Sequence, residues 1–156
     1  MKNSHFFVAL AISAMTAALS PSFAVSQEMD PSTATVLDIK GTASFMKAGG
    51  ADWMPLEKGM VLSEGDRLKT GPGSEATVQT LGNAKTALLT VRKGTEFTFK
   101  TFRHDPSAQV DNTLLDLEIG SVLVKAEKLV GGSKFEVKTP TSIVGIRGTT
   151  FEVNVA

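Results

Sequence analysis

The sequence contains no cysteine and no tyrosine, and its 156 residues include only one tryptophan and two histidines. Without cysteine there can be no disulfide, thiolate nucleophile, iron–sulfur cluster or cysteine-based zinc site. Basic and acidic residues number 16 each and are scattered along the chain, so the positive patch typical of a nucleic-acid-binding protein is missing. We therefore expect no nucleic acid among the partners, and the hydrophobic core must stabilise the fold without covalent cross-links.

Residues 1–24 have the composition of an export signal peptide. A basic residue precedes an apolar stretch over residues 6–19, and the small residues Ser22 and Ala24 stand three and one positions before a cleavage site at Val25. The apolar stretch is shorter than the ~20 residues that a membrane-spanning helix needs, so an uncleaved anchor is the less favoured alternative. No later apolar run reaches that length, which predicts a periplasmic or secreted product without a membrane span.

The chain that remains after cleavage is long enough to form one domain without staples. Residues 25–34 are small and polar, and we interpret them as a flexible leader. From residue 35 to 156 threonine and valine are abundant, and glycine, proline, asparagine or aspartate interrupts short alternating segments. This pattern predicts a single all-β domain of about ten short strands, either a rolled sandwich or a β-solenoid-like fold.

Alternation also predicts which side chains form the core. Phe97 and Phe99 alternate with polar residues, and Leu115, Leu117 and Ile119 alternate with acidic ones. Because successive side chains of a strand point to opposite faces, we expect these five side chains in the core. Helical periodicity is weak everywhere; the best helix candidate, residues 123–130, is short and follows a β-like run.

Residues able to support catalysis are few. His104 is the only histidine after the signal, and we interpret it as a solvated residue of a turn. One histidine without cysteine gives too few ligands for zinc, and neither a phosphate-binding loop nor a nucleophile elbow is present. Asp116 and Glu118 lie two residues apart on a strand face open to water, although a glycosidase-like carboxylate pair is an alternative. We predict no catalytic residue, no cofactor and no metal.

One segment has a period of three, which fits neither a strand nor a regular helix. Gly59 and Gly65 predict two tight reversals on either side of a short strand at residues 60–62. We interpret Trp53 as a packing residue of the core or rim, with a stacking surface for a sugar as the alternative. The residues of this segment are Trp53, Leu56, Gly59, Leu62, Gly65 and Leu68.

The C-terminal segment carries one isolated charge. Arg147 is the only charged residue between Lys138 and Glu152, and an isoleucine and a glycine flank it. We predict that its guanidinium turns inward and donates to loop carbonyls or a carboxylate, with direct contact to a partner as the alternative. Gly148 would permit a left-handed backbone, and the hydroxyl of Thr149 would close the turn.

In order and spacing these features resemble the FecR domain family. The likeness starts at the strand after Gly41, continues through Thr70-Gly71 and Gly120-x-Val122, and ends at the C-terminal arginine motif. The motif residues singled out are Trp53, Leu56, Gly59, Gly65, Asp66, Pro140, Arg147, Gly148, Thr149 and Phe151.

The resemblance implies an extracytoplasmic all-β module. In the namesake proteins it belongs to a membrane-spanning regulator that receives a signal from an outer-membrane siderophore receptor and controls a cytoplasmic sigma factor. This chain starts with a signal peptide in place of a cytoplasmic regulatory segment, so sigma-factor control is not carried over. It also ends at Ala156, where family members continue, and we expect the FecR-like domain over residues 35–156 either to lack C-terminal strands or to be closed by few elements.

The resemblance therefore predicts an exported, non-enzymatic domain whose partner is an envelope protein, in signalling or assembly. The alternative is an accessory module that binds an envelope glycan, peptidoglycan or another polysaccharide. Its candidate contacts are Trp53, Asp116 and Glu118.

Overall fold

The computed structural model describes residues 29–81, 87–127, 129, 131–148 and 150–156, and the export signal expected at 1–24 lies outside them. Every regular element within these ranges is a β-strand. The strands are β1 Asp30–Pro31, β2 Thr33–Lys40, β3 Ala43–Met46, β4 Met54–Pro55, β5 Val61–Ser63, β6 Arg67–Thr70, β7 Glu75–Leu81, β8 Ala87–Val91, β9 Glu96–Asp105, β10 Val110–Ala126, β11 Lys134–Lys138, β12 Ile143–Ile146 and β13 Thr150–Val155.

The β-structure starts before residue 35. β1 pairs with β9, and β2 begins at Thr33 between β5 and β7. Ala34 is fully buried there and lies opposite Leu62 on one side and Thr80 on the other. Residues 30–31 and 33–34 thus lie in strands where the composition indicated a flexible leader, because neighbouring strands provide main-chain pairing.

The strands form one curled sheet. Its order from edge to edge is β4-β3-β6-β9-β10-β8-β7-β2-β5; in addition β1 pairs with β9, β11 and β13 pair with β10, and β12 pairs with β11. Neighbouring strands of the described chain are antiparallel, except for the parallel pair of β10 and β11. The predicted rolled all-β domain is confirmed, whereas a solenoid would stack its strands in parallel coils.

β10 is 17 residues long and joins two halves of the sheet. Its first part pairs with β9 and β11, and its last part pairs with β8 and β13. The partners change at Gly120, where φ is 93°. Thr113 and Ala126 line the same small cavity from the two parts of this strand, so β10 curls around the core. We call β1, β3, β4, β6, β9, β11 and β12 the first half-sheet, and β2, β5, β7, β8 and β13 the second half-sheet.

A single hydrophobic core lies between the half-sheets, and three phenylalanines form its centre. Phe97 meets Phe99 edge to face at 5.1 Å between ring centroids, and Phe99 stacks on Phe102 at 5.3 Å. The predicted burial of Leu117 is confirmed, whereas that of Ile119 is wrong, because its side chain is 51% exposed. The register of β9 and β10 shifts between these two residues, and such a bulge turns the following side chain to the other face.

The helix candidate over residues 123–130 is not helical in its first half, since residues 123–126 continue β10. Tertiary pairing with β8 and β13 overrides the weak local preference. Across the described ranges, no helix is long and apolar enough to cross a membrane.

Candidate functional site

The period-three segment is a scaffold of turns around β5. Gly59 and Gly65 both have a φ of 86°, which confirms the two predicted reversals. Between the turns Leu62 is fully buried, and before them Leu56 is buried and donates its N–H to the carbonyl of Ala43 at 2.9 Å. The spacing of three therefore reflects one buried leucine per tight turn.

Asp66 is a buried anchor of the first half-sheet, with 1% of its surface exposed. Its carboxylate accepts hydrogen bonds from the ammonium of Lys47 at 2.8 Å and from the main-chain N–H groups of Ala48 at 3.0 Å and Ser63 at 2.9 Å. A buried carboxylate with three donors holds two loops together. The sequence marked Asp66 only as a motif residue, because its donors are distant or belong to the main chain.

The Thr70-Gly71 pair joins β6 to the turn before β9. The hydroxyl of Thr70 donates to the carbonyl of Arg92 at 2.5 Å and accepts the N–H of Thr95 at 3.0 Å. A Cβ on Gly71 would stand 2.4 Å from the hydroxyl oxygen of Thr42, so a larger residue does not fit. Both motif residues have internal contacts.

Trp53 lies half-buried beside two cations. The ammonium of Lys69 is 4.0 Å from the ring centroid, and the guanidinium carbon of Arg67 is 5.7 Å from it. Arg67 also pairs with Glu96 at 2.5 Å and with Glu118 at 3.0 Å. The indole thus packs within an ion-pair network, and a cation already covers part of the ring that would stack on a sugar.

Glu118 is linked to Trp53 through Arg67, whereas Asp116 is not. Glu118 pairs with Arg67, whereas Asp116 pairs with Lys138 on β11 at 3.0 Å. Both carboxylates lie on the outer face of the first half-sheet and each has a cationic partner. This arrangement fits the predicted charged strand face.

His104 is wrongly predicted as a solvated turn residue. β9 continues to Asp105, so His104 lies in a strand, and only 15% of its side chain is exposed. Its Nδ1 is 2.6 Å from a carboxylate oxygen of Asp111 on β10. The hydroxyl of Ser133 lies nearby but accepts the main-chain N–H of Asp111 at 3.0 Å. The described residues include no group of three or more metal-ligating side chains.

Glu64 and Arg103 form a bidentate ion pair next to β1. The carboxylate of Glu64 accepts from Nε and Nη2 of Arg103, both at 2.8 Å, and from the N–H of Phe102 at 2.9 Å. These donors, with the Arg103 guanidinium foremost, hold the pKa of Glu64 below its ordinary value, although burial opposes them.

Thr139 and Pro140 form the tight reversal between β11 and β12. The N–H of Thr139 donates to the carbonyl of Ser142 at 2.8 Å, and its hydroxyl accepts the N–H of Ser142 at 3.0 Å. Pro140 lies exposed at the corner, where its fixed φ suits the turn. This reversal directs β12 back along β11.

β12 lies at the margin of the sheet and is unusually exposed for an apolar strand. Among the described strands it pairs only with β11. Ile143 is 63% exposed and Val144 is 36% exposed, Gly145 is also exposed, and Ile146 is the one buried residue of β12. The segment from residue 143 to 146 contains no charged residue.

The inward guanidinium predicted for Arg147 is wrong, because this residue is exposed. Ile146 takes the core-facing position at the end of β12, and strand alternation sends the next side chain outward. The side chain of Arg147 has no hydrogen bond or ion pair with any described residue. Gly148 has the predicted left-handed backbone, with a φ of 93°, and Phe151 packs partly buried against the core. Thr149 lies outside the described residues.

A groove of about 540 Å³ lies next to Arg147. Its walls include Lys134, Glu136, Gly145 and the turn over residues 131–133. We call the surface formed by this groove and β12 the β12 margin. Sequence reasoning missed it, although an uncharged Ile-Val-Gly-Ile run between charged strands was a usable signal. The β12 margin consists of Lys134, Glu136, Lys138, Ile143, Val144, Gly145, Ile146 and Arg147.

Comparison with known protein families identifies one to which much of the chain is similar. A sequence model of the family described as "FecR protein" matches residues 66–156, which is more than half of the chain. The match includes β6 to β13, and with them β10 and the β12 margin. No curated protein and no solved structure matches the chain. FecR proteins form a signalling and regulatory family. This chain therefore belongs to the FecR family.

Proposed function

We propose that this protein is an exported, non-enzymatic FecR domain that acts by protein–protein interaction in cell-envelope signalling or assembly, in the periplasm or after secretion. The observation that carries the proposal is the β12 margin. It combines an apolar edge strand, which pairs only with β11 among the described strands, with an exposed Arg147 whose side chain has no partner among the described residues. Such surfaces are typical of sites where another chain binds.

The internal contacts of the other motif residues support the choice of the β12 margin as the interaction surface. Asp66 and Thr70 form hydrogen bonds inside the domain, and Leu56 is buried in its core. The paired His104 and the ion-paired carboxylates likewise have internal partners. The β12 margin differs from them, because the side chains of its exposed Ile143, Val144 and Arg147 have no such partner or burial within the described chain.

In vivo photo-crosslinking tests the interaction. A photoreactive amino acid at Ile143 should give a discrete protein adduct in the producing cell. The same amino acid at Val61, an exposed apolar position of β5, is the matched control. Equal adducts from both positions, or none from Ile143 while the protein is present in the envelope, would contradict the proposal.

Export has a separate test. We expect the N-terminus of the protein recovered from the periplasm or the medium to be Val25, as the signal pattern predicts. Recovery of an intact N-terminus from the cytoplasm would contradict export without affecting the interaction test.

Binding of an envelope glycan is the second candidate function. The observation in its favour is the half-buried indole of Trp53 at the edge of a charged face, although Lys69 lies over the ring at 4.0 Å. Co-sedimentation with peptidoglycan that is lost in Trp53→Ala but retained in Ile143→Lys would favour this function over the first.

A further inference from the structure

We propose that the β12 margin binds an extended, acidic segment of a partner protein, which adds to β12 as a further strand. This inference rests on the proposed function, because it names the kind of partner that the same surface takes. Three independent features of the margin carry it: the outward main-chain groups of β12, the lack of edge protection, and the charge around the groove.

The hairpin determines which main-chain groups of β12 point outward. The N–H of Thr139 donates to the carbonyl of Ser142, so these two residues form a hydrogen-bonded pair. Hydrogen-bonded and non-hydrogen-bonded pairs alternate along an antiparallel ladder, and the register has no shift as far as Ile146. Ile143 and Gly145 therefore belong to non-hydrogen-bonded pairs. Their N–H and C=O groups point away from β11, where an added strand would pair with them.

Apart from its short length of four residues, β12 also lacks the devices that keep sheet edges from pairing. Charged residues, proline and bulges commonly protect an edge strand. β4 contains Pro55 and β13 contains Glu152, whereas β12 contains none of these and has a regular register. An uncharged, regular edge is open to β-strand addition.

Charge favours an acidic segment over a second copy of this chain. Lys138 is paired with Asp116, whereas Lys134 and Arg147 have no ion pair with any described residue. Glu136 is the only carboxylate on β11 and β12, so the margin keeps an excess of positive charge. A second copy docked through the same edge would bring two more unpaired cations to it, while an acidic strand would neutralise them.

The groove gives acidic side chains a place on the outer face. Gly145 has no side chain there, and a Cβ would lie 3.9 Å from Cγ of Glu136, so the floor is low and unobstructed. Lys134 and Arg147 stand on the walls of this groove. Alternate side chains of an added strand point to this face, where carboxylates can reach both cations.

Peptide titration of the purified, isotope-labelled chain tests the inference. The probes are a short peptide of alternating threonine and glutamate, its threonine–lysine counterpart, and the acidic peptide with N-methylated amides. We expect the acidic peptide to shift the amide resonances over residues 143–147 and to protect the Gly145 amide from exchange. The other two peptides should bind at least about tenfold more weakly, because they lack the complementary charge or the main-chain donors.

Variants of the protein separate the contribution of charge from that of main-chain pairing. Arg147→Glu should weaken the acidic peptide by about tenfold and strengthen the lysine peptide. Gly145→Pro should abolish strand addition by removing an outward N–H. If this variant fails to fold, Arg147→Glu, at an exposed position, still tests whether the β12 margin binds the acidic peptide. Val61→Lys on β5 is the matched control and should leave binding unchanged.

Three results would overturn the inference. They are equal binding of the acidic and lysine peptides, equal binding of the N-methylated peptide, and a concentration-dependent dimer that is lost in Arg147→Glu or Gly145→Pro. A protein adduct at Ile143 without acidic-peptide binding would overturn strand addition while leaving the proposed function standing. Absence of any adduct would overturn the proposed function itself.

Discussion

At the scale of single residues, the family motif separates into supporting residues and exposed ones. Asp66 and Leu56 are buried, and Gly59 has a left-handed backbone in a tight turn. Arg147 is different, because its guanidinium projects from the surface without a partner among the described residues. The buried members have contacts that support the fold, whereas the exposed arginine is the residue on which the proposed recognition depends.

The first prediction concerns Asp66. Replacing it with alanine leaves the N–H groups of Ala48 and Ser63 and the ammonium of Lys47 without their acceptor. We expect Asp66→Ala to lower the free energy of unfolding by about 3 kcal/mol, measured by urea denaturation. The exposed Asp52 is the control, and Asp52→Ala should change it by less than about 0.5 kcal/mol. Similar losses in both variants would show that the buried contacts are not the cause.

The orientation of the Arg147 side chain could not be derived from its neighbours in the sequence. An arginine between an isoleucine and a glycine fits an inward or an outward side chain, and only the register of β12 decides between them. Because Ile146 faces the core, the next side chain faces water. The environment of His104 was likewise hidden, since its partner Asp111 lies on the neighbouring strand.

At the scale of elements, alternation predicted the strands well. The short strand predicted at residues 60–62 is β5, shifted by one residue, and the alternating Phe97 and Leu117 are buried in β9 and β10. The bulge before Ile119 could not be predicted, because it depends on the pairing of two distant strands. The length of β10 could not be predicted either, because a glycine such as Gly120 commonly ends a strand, whereas here it lies within one.

The second prediction concerns the bend of β10 at Gly120. A Cβ there would stand 2.4 Å from the Cα of Thr95, and the φ of 93° strains any other residue. We expect Gly120→Ala to lower the free energy of unfolding by about 3 kcal/mol. Gly94 is the matched control, because its φ is 61° and nothing lies within 4 Å of the added methyl group. Gly94→Ala should cost about 1 kcal/mol, and equal losses would exclude crowding as the cause.

The third prediction is a pH dependence that arises between β9 and the turn after β5. The Arg103 guanidinium lowers the pKa of Glu64 in the folded protein below 4.5. The unfolded chain therefore binds the proton more readily, so this stabilisation is complete above about pH 4.5 and is lost as the pH falls through the folded pKa.

Urea denaturation at a series of pH values measures the effect. We expect the free energy of unfolding of the natural protein to fall more steeply below pH 4.5 than that of Glu64→Gln, which has no carboxyl group to titrate there. Glu57→Gln, at an exposed position, is the control and should retain the steep fall. Parallel curves for Glu64→Gln and the natural protein would exclude Glu64 as the cause.

At the scale of the whole molecule, β10 and the hydrophobic core connect the two half-sheets. β10 contributes to both half-sheets, and the core cluster includes residues from each. Sequence alone indicated a single rolled domain from the close spacing of its turns, and the structure adds that the two halves share a continuous strand. Two halves joined in this way should not unfold independently.

The fourth prediction follows from this shared architecture. Trp53 fluorescence reports on the first half-sheet, and amide exchange at the fully buried Leu89 reports on the second. We expect both probes to give the same free energy of unfolding, because breaking either half exposes the common core. Val91→Ala, in β8, should lower the value reported by Trp53 by about 2 kcal/mol, although the mutation lies in the other half. Val61→Ala, at an exposed position, is the control; an unchanged Trp53 transition in Val91→Ala would mean that the half-sheets unfold separately.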